Sequence, residues 1–243
     1  MNSFRSTEPS RVLLRDASVL VPDHTASTAG ATRTLLDPVT LDLTEARIAV
    51  VGANGSGKST FLRLLNGLLE PSTGTVTVNG LDAARQSRAV RQQVGFIFTD
   101  PLAQLVMSTP IEDVALSLRR SVRGGAARTR RARELLVARN LGHLADQSIY
   151  DLSGGERQLV ALTSVLAVDP SVLVADEPTT LLDLRNRNRL LTTFAELPQQ
   201  LIFSSHDLDF AATADRVLVF DGGRLVADDA PAAAIRHYRE LMR

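Results

Sequence analysis

Apolar and polar positions along this chain fall into two patterns, short apolar blocks with strand character and longer stretches with helical spacing. The segments VLL, SVLV and VTLDL predict short strands, and the polar residues 23–34 between the second and the third predict a loop. Residues 48–51 form an apolar run of the kind buried in a parallel sheet. A glycine-rich segment follows, and then a helical pattern from Phe61 to Leu69 that ends before Pro71. This part therefore predicts a strand, a glycine loop and a helix in direct succession.

Further along, predicted strands alternate with predicted helices on either side of one helical block. Residues 75–80 alternate and end on Asn-Gly, which indicates a hairpin, and residues 94–98 read as a buried strand. The pattern is helical from Asp100-Pro101 to about Val168. A strand, a helix, a strand, a hairpin around Gly222-Gly223 and a terminal helix follow. We expect a single α/β domain over residues 1–243, with its core in residues 10–98 and 169–243 and a helical subdomain inserted at about residues 99–168.

Composition and charge exclude several classes of protein. The 243 residues carry 27 Lys and Arg against 27 Asp and Glu, so no global charge attracts nucleic acid or acidic membranes. The absence of cysteine excludes disulfides, thiolate zinc sites and thiol nucleophiles. The N-terminal residues lack the apolar run of a signal peptide, and residues 159–168 are half of the roughly 20 that a membrane helix needs. We expect a cytoplasmic chain that spans no membrane.

The glycine-rich segment matches the phosphate-binding pattern G-x-x-x-x-G-K-[ST] between a strand and a helix, the context that the pattern requires. Backbone N–H groups of such a loop wrap a polyphosphate at a helix N-terminus, where the helix dipole favours negative charge. Lys58, the only lysine, would reach the phosphates, and the Ser59 hydroxyl would bind Mg²⁺. A purely structural glycine turn is the alternative. The predicted phosphate-contacting residues are Gly52, Ala53, Asn54, Gly55, Ser56, Gly57, Lys58, Ser59 and Thr60.

Two adjacent carboxylates, Asp176 and Glu177, follow the apolar strand SVLVA. Open α/β sheets bind ligands at this carboxyl edge of their strands. Because consecutive side chains diverge, we expect different tasks: Asp176 on the Mg²⁺ side, and Glu177 as the general base that activates a water. Taken alone, the pair also fits a solvated turn.

Five motifs occur in a fixed order: GANGSGKST, LSGGERQ, ADEPT, TTLLD and SSHD. Together they resemble the nucleotide-binding subunit of ATP-binding cassette (ABC) proteins. The resemblance implies an α/β fold of the P-loop NTPase type, with an N-terminal antiparallel β subdomain and an inserted helical subdomain. It also implies hydrolysis of ATP with Mg²⁺. For LSGGE alone, a helix capped by Ser153 and Glu156 is a complete alternative explanation.

In the family that this chain resembles, two subunits pair head to tail, as a homodimer or a heterodimer. The resemblance implies that Ser153, Gly154 and Gly155 of one subunit close on the γ phosphate held by the other. Asp183 would couple the two sites. His206 would contact the γ phosphate and orient Glu177. Glu177, His206 and Lys58 would then be the catalytic residues, although His206 could also be an ordinary histidine at a strand end.

Two positions depart from the family pattern. Where most members carry a glutamine after the strand at residues 94–98, this chain has Thr99, whose shorter side chain we expect to act through a water. Gln104 lies too far along the chain to substitute. The aromatic residue that usually stacks on adenine is also missing: the matching position is Val21, with Val19 nearby. The first fifty residues hold one aromatic side chain, Phe4, although His24 could supply a ring.

Residues 94–120 resemble the ATPases of energy-coupling-factor importers, which take up vitamins and transition metals, and the wording DP-x-AQ-x-VM-x-TP is most similar to the biotin type. This resemblance implies a peripheral position on the inner face of the membrane, with a transmembrane coupling subunit and a substrate-binding membrane protein as partners. It implies no direct contact with the transported substrate and none with nucleic acid. The arginine-rich residues 119–139 predict a solvated helical face, or else a surface for a partner or anionic lipid.

Two alternatives remain for the function. A soluble ABC ATPase that acts on ribosomes or DNA would commonly carry two cassettes or long coiled-coil inserts, and this chain has one cassette and no heptads. A small-molecule kinase with the same phosphate loop would leave LSGGE and Asp176-Glu177 unexplained.

Overall fold

The computed structural model describes residues 10–23 and 30–243, in which two sheets form. The strands are β1 (Val12–Pro22), β2 (Thr32–Leu43), β3 (Arg47–Val51), β4 (Thr73–Val78), β5 (Leu81–Asp82), β6 (Val94–Ile97), β7 (Val172–Ala175), β8 (Gln200–Ser204), β9 (Arg216–Asp221) and β10 (Arg224–Asp229). The smaller sheet is antiparallel, in the order β2-β1-β4-β5. The larger has the order β10-β9-β3-β8-β7-β6, and all of its neighbouring strands are parallel except β9 and β10.

The helices lie between and beside these sheets. They are α1 (Lys58–Leu65), α2 (Ser87–Gln93), α3 (Pro110–Ser117), α4 (Gly125–Ala138), α5 (Gly154–Leu166), α6 (Leu184–Glu196), α7 (Leu208–Ala211) and α8 (Pro231–Leu241). Single 3₁₀ turns occur at Pro101–Ala103, Leu118–Arg120, Gly142–Leu144 and Ile149–Asp151. Thus α3, α4 and α5 occupy the chain between β6 and β7, which agrees with the α/β fold and the inserted helices predicted from the sequence. The exact domain limits stay a prediction.

The large sheet is covered on both faces, which explains its continuous apolar strands. In β3, Ile48 and Val50 join the core formed with α1 and the antiparallel sheet. Ala49 and Val51 point to the opposite core, which contains residues of α5, α6 and α8. The carboxyl ends of the parallel strands are thereby fixed between two packed layers.

Both predicted hairpins are present. The turn between β4 and β5 has positive φ angles at Asn79 (48°) and Gly80 (80°), and the turn between β9 and β10 has them at Gly222 (50°) and Gly223 (82°). Two consecutive positive φ angles define the turn type whose twist matches a β-hairpin, which is why Asn-Gly and Gly-Gly occur here.

Other local predictions were wrong in detail. The first helix ends at Leu65, because Gly67 turns the chain (φ 66°) where a Cβ atom would lie 2.8 Å from the carbonyl oxygen of Ala83. β2 begins at Thr32, inside the predicted loop. Two helices, α2 and α7, were missed; α2 buries one residue, Val90, and so lacks an apolar stripe. Within the described residues, no helix is long and apolar enough to cross a membrane.

Candidate functional site

The loop of residues 52–57 joins the end of β3 to the start of α1. Three of its glycines have positive φ angles, 154° at Gly52, 78° at Gly55 and 103° at Gly57. A Cβ atom at Gly52 would lie 2.2 Å from the carbonyl oxygen of Phe220 in the neighbouring strand β9, so only glycine fits there. The loop therefore turns tightly and places the first turn of α1 at the carboxyl edge of the sheet.

Lys58 is charged and yet its side chain is 6% exposed. Its Nζ donates hydrogen bonds to the carbonyl oxygens of Gly52 and Ala53 at 2.8 and 3.0 Å and lies 3.9 Å from Oε1 of Glu177. Burial lowers the pKa of Lys58, and the carboxylates of Glu177 and Asp176 partly offset this effect. A buried ammonium that is bonded to neutral carbonyl oxygens favours the approach of an anion.

Asp176 directly follows β7 and faces the start of α1. Its Oδ1 accepts hydrogen bonds from the Ser59 hydroxyl at 3.0 Å and from the Ser204 hydroxyl at 2.8 Å. Mg²⁺ prefers oxygen ligands such as hydroxyl and carboxylate groups. In phosphate-binding sites the protein usually supplies one or two of these ligands, and water and the substrate phosphates supply the rest. The structure thus brings together the two residues that the sequence predicts as metal ligands.

Glu177 adopts the left-handed conformation, with φ 48°, which for a residue of this kind costs about 1–3 kcal/mol. Its Oε2 accepts hydrogen bonds from the backbone N–H of His206 at 3.2 Å and from the Thr180 hydroxyl at 3.3 Å. Its Oε1 lies 3.2 Å from Nε2 of His206. Glu177 therefore faces His206 and Lys58, whereas Asp176 faces Ser59, and the expected divergence of the two acids is present.

Two hydroxyl groups hold the peptide group between Asp176 and Glu177. Thr99 Oγ1 donates to the carbonyl oxygen of Asp176 at 2.9 Å, and the N–H of Glu177 donates to Ser204 Oγ at 2.9 Å. Ser204 was not predicted as a site residue, and its only signal in the sequence is its place in SSHD, two residues before His206. Thr99 makes this backbone contact directly, and its expected action on the metal side of the site through a water stays a prediction.

Gln104 is used elsewhere. Its Oε1 accepts a hydrogen bond from the N–H of Phe98 at 3.3 Å, and Gln158 of α5 donates to the carbonyl oxygen of the same residue at 3.4 Å. The two glutamines thus hold the chain after β6 against α5.

Ser153 begins α5 as its N-cap. It forms a complete capping box, in which its Oγ accepts from the N–H of Glu156 at 3.3 Å and its own N–H donates to Glu156 Oε2 at 2.8 Å. The Ser153 hydroxyl also donates to Glu156 Oε2 at 2.7 Å, and this bond together with that of the Ser153 N–H lowers the pKa of Glu156. The capped helix is therefore real, and no hydrogen bond or ion pair among the described residues joins Ser153, Gly154 or Gly155 to the phosphate loop of the same chain.

Asp183 caps α6 in a similar way. Its Oδ1 accepts from the N–H of Asn186 at 2.8 Å, and its Oδ2 accepts from the side-chain amide of that residue at 2.9 Å. Asn186 also contacts α5, because a Cβ atom at Gly155 would lie 2.2 Å from its Cγ. On either side of Asp183, Leu181 and Leu184 are 59% and 71% exposed. Two exposed apolar side chains thus flank the cap.

The positions expected near adenine are only partly described. Val19 is 1% exposed and belongs to the core, whereas Val21 is half-buried near the end of β1. Phe4 and His24 lie outside the described residues.

The arginine-rich stretch surrounds α4, which buries Ala132 and Leu136 and exposes most of its other side chains. Two of its arginines form exposed ion pairs, Arg131 with Glu134 and Arg133 with Asp146. Burial lowers the pKa of Arg139 at the end of the helix.

The residues present fit a polyphosphate with a divalent cation. Ser56 Oγ in the loop and Glu177 Oε1 beside it are buried without a hydrogen-bond partner of good geometry among the described residues. Buried polar atoms usually have partners, so these two, next to an ammonium and a glycine-rich loop, favour a bound polar ligand.

Comparison with known proteins agrees with this geometry. Residues 36–180 match the family model described as "ABC transporter". A Deinococcus radiodurans protein, provisionally named as an ABC transporter ATP-binding protein, is 49% identical over 86% of this chain and 93% of its own. The biotin transport ATP-binding protein BioM of Rhizobium etli is 45% identical over 90% of this chain and 97% of its own. The energy-coupling factor transporter ATP-binding protein EcfA1 of Halalkalibacterium halodurans is 38% identical over 80% of this chain and 72% of its own.

Solved structures show the same fold. The ATP-binding cassette MJ0796, a dimer bound to ADP and phosphate in a post-hydrolysis state, superposes with a TM-score of 0.79. It is 26% identical in sequence, over 90% of this chain and 98% of its own. CbiO1 from Clostridium perfringens, described as part of the ABC transporter complex cbiONQ, has a TM-score of 0.77 at 23% identity, over 95% of this chain and 92% of its own.

Proposed function

This chain belongs to the ABC transporter family, and from that premise we propose that its ATPase site drives an energy-coupling-factor importer that takes up biotin. As a member of the family it binds ATP with Mg²⁺ and hydrolyses it. The site roles, the dimer, the membrane partners and the cargo are the parts that we propose.

ATP supplies the phosphoryl group that is transferred to water, and Mg²⁺ screens the charge of its phosphate oxygens. The N–H groups of residues 52–60 bind the phosphates, and Lys58 contributes its buried charge. Ser59 and Asp176, already in contact through a hydrogen bond of 3.0 Å, hold the metal. When ATP binds, the Lys58 ammonium would exchange the two carbonyl oxygens that it now contacts for phosphate oxygens. Because phosphate oxygens are charged, the new hydrogen bonds are stronger than the ones given up.

Glu177 is the general base in this proposal. The observation that carries the assignment is its buried Oε1, which lies between Nε2 of His206 and Nζ of Lys58 and has no hydrogen-bond partner of good geometry in the described part of the chain. An acceptor held in this way can take a proton from a water beside the phosphates. His206 orients the carboxylate through its backbone N–H, and its side chain, which is 44% exposed, is free to contact the nucleotide.

We further propose that two cassettes close head to tail. Among the described residues, no hydrogen bond or ion pair joins Ser153, Gly154 or Gly155 to the phosphate loop of the same chain, which favours a second subunit that brings them to ATP. The exposed Leu181 and Leu184 beside Asp183 offer apolar area for this contact. The dimeric state of the related cassette MJ0796 supports the same arrangement.

The surface after β6 is the proposed docking site for a helix of a transmembrane coupling subunit. Leu102, Val106 and Met107 are exposed there, and Val106 is 70% exposed. The buried carboxylate of Asp113 fixes this surface, because its Oδ2 accepts from the N–H groups of Val106 and Met107 at 2.8 and 3.1 Å. A fixed apolar patch suits a partner helix. The chain would then lie on the inner face of the membrane, with no contact to the cargo.

The names of BioM and EcfA1 support biotin as the cargo and the energy-coupling-factor type as the complex. No comparison favours the alternative of a soluble ATPase on ribosomes or DNA. The test is ATP-dependent uptake of labelled biotin by membrane vesicles that contain the chain with its native partners. Uptake that stops with Glu177→Gln supports the proposal. If the vesicles took up another vitamin, or nickel or cobalt, and no biotin, the proposed cargo would be wrong and the proposed type of importer would still hold.

A further inference from the structure

We propose that Thr99 and Ser204 are positioning residues for Glu177, which they orient by holding the peptide group between Asp176 and Glu177 from both sides. The proposal rests on the proposed role of Glu177 as the general base. It gives Thr99 a task through the backbone, different from that of the glutamine that ABC proteins usually carry at this place.

The two hydroxyl groups extend the sheet beyond the end of β7. This strand lies between β6 and β8, and its last bond to β6 joins the N–H of Asp176 to the carbonyl oxygen of Ile97 at 2.9 Å. Past that point, Thr99 from the β6 side binds the carbonyl oxygen of the next peptide at 2.9 Å. Ser204 at the end of β8 binds the N–H of the same peptide, also at 2.9 Å. Two bonds at opposite edges fix the orientation of one peptide plane.

The orientation of this peptide sets the backbone conformation of Glu177. A rotation of its plane changes φ at Glu177, which is now 48°, in a region that residues with a Cβ atom avoid. Without the two hydroxyl bonds the chain would relax toward a more favourable φ. The Cα–Cβ bond would then turn, and the carboxylate would leave its place 3.2 Å from Nε2 of His206.

The two hydroxyl groups differ in what else they contact. Ser204 also donates to Oδ1 of Asp176 at 2.8 Å and therefore holds a proposed metal ligand as well. Among the described residues, the Thr99 hydroxyl has one hydrogen-bond partner, the backbone carbonyl oxygen of Asp176. Variants of Thr99 thus isolate the effect on Glu177, whereas variants of Ser204 combine it with an effect on the metal.

The first experiment compares Thr99→Val with Thr99→Ser in the full-length chain, purified together with any partner subunits that remain bound to it. Single-turnover hydrolysis at saturating ATP and Mg²⁺ should slow about 10-fold in Thr99→Val, about the worth of one oriented hydrogen bond. Affinity for a non-hydrolysable ATP analogue should stay within about 2-fold, because the phosphate contacts remain. Thr99→Ser keeps the hydroxyl and should keep the rate. Thr193→Val removes a similar bond to a carbonyl oxygen in α6 and serves as the matched control.

The second experiment repeats Thr99→Val in a Glu177→Gln background. If Thr99 acts through Glu177, it should cause no further loss there. At saturating Mg²⁺ Ser204→Ala should behave in the same way, and in both backgrounds it should in addition raise the Mg²⁺ concentration needed for half-maximal rate. Melting temperatures verify folding, and Ser204→Ala carries the test if Thr99→Val does not fold.

A wild-type rate in Thr99→Val, or an equal loss in both backgrounds, would overturn the positioning role. Full turnover by Glu177→Gln would instead remove the proposed base. The failure of this inference can therefore be distinguished from failure of the proposed function.

Discussion

Both carboxylate oxygens of Glu177 face His206, one 3.2 Å from its Nε2 and the other bonded to its backbone N–H at 3.2 Å. The histidine holds the acid with its main-chain N–H, and its side chain is 44% exposed. The two residues thus form one unit at the ends of β7 and β8, and the proposed chemistry depends on it.

Replacing Glu177 by Gln should remove the base while keeping the shape of the side chain. We expect ATP hydrolysis to fall by about 10²- to 10⁴-fold, while ATP still binds and the dimer accumulates in its closed, ATP-bound form. Hydrolysis assays, nucleotide binding and size measurements test this. Glu196→Gln, at an exposed end of α6, is the matched control. A turnover close to wild type in Glu177→Gln would show that another group is the base.

His206→Ala should slow hydrolysis by about 10- to 100-fold, since the ring is lost while the backbone N–H that holds Glu177 remains. The loss should be smaller than that of Glu177→Gln. His237→Ala on the exposed side of α8 should leave the rate unchanged. An unchanged rate in His206→Ala would show that His206 is an ordinary histidine at a strand end without a catalytic role.

Lys58 predicts how ATP affinity depends on pH. Burial lowers its pKa below the ordinary 10.5, and the protonated form is the one that binds phosphate. As the pH rises through the lowered pKa, the nucleotide-free chain loses this proton, and binding must take it up again. ATP affinity should therefore begin to fall at a pH below the ordinary pKa of 10.5, with proton uptake detectable by calorimetry in two buffers. An affinity that stays constant up to the ordinary lysine pKa would contradict the burial of the charge.

Adenine should be weakly discriminated from guanine, because Val21 stands where the family usually has an aromatic ring. Val21→Tyr should tighten ATP binding by up to about 10²-fold, the worth of roughly 1–3 kcal/mol of stacking. Leu20→Tyr places the same ring on the opposite face of β1 and should have little effect. A GTP affinity more than about 100-fold weaker than that for ATP in the wild type would contradict the weak discrimination expected here.

A charge on the docking surface should separate hydrolysis from transport. Val106→Asp introduces a carboxylate into the proposed apolar contact, so uptake should fall at least about 10-fold while hydrolysis continues. Val137→Asp, at an exposed apolar position of α4, is the control. Normal uptake with Val106→Asp would place the coupling helix elsewhere.

The phosphate loop and the two acids could be predicted because their chemistry follows from consecutive residues. Glycines at 52, 55 and 57 are needed because the chain takes positive φ angles there. Asp176 and Glu177 directly follow an apolar strand, so the sequence itself places them at the carboxyl edge of the sheet. Both signals are local, and the structure places these residues together as expected.

The support of Glu177 could not be predicted, because it comes from residues far apart in the chain. Thr99 and Ser204 meet one peptide only when β6, β7 and β8 lie side by side, and the sequence gives no strand order. The short α2 was missed for another reason: with Val90 as its single buried residue it shows no amphipathic period.

The most direct test of the central claim is to purify the tagged full-length chain from its native membrane and to identify what comes with it by mass spectrometry. An importer of the proposed type predicts recovery with an integral coupling subunit and a small vitamin-binding membrane protein. The Val106→Asp variant should lose both and Val137→Asp should retain them. Recovery with ribosomes or DNA, or with no membrane protein at all, would contradict the claim.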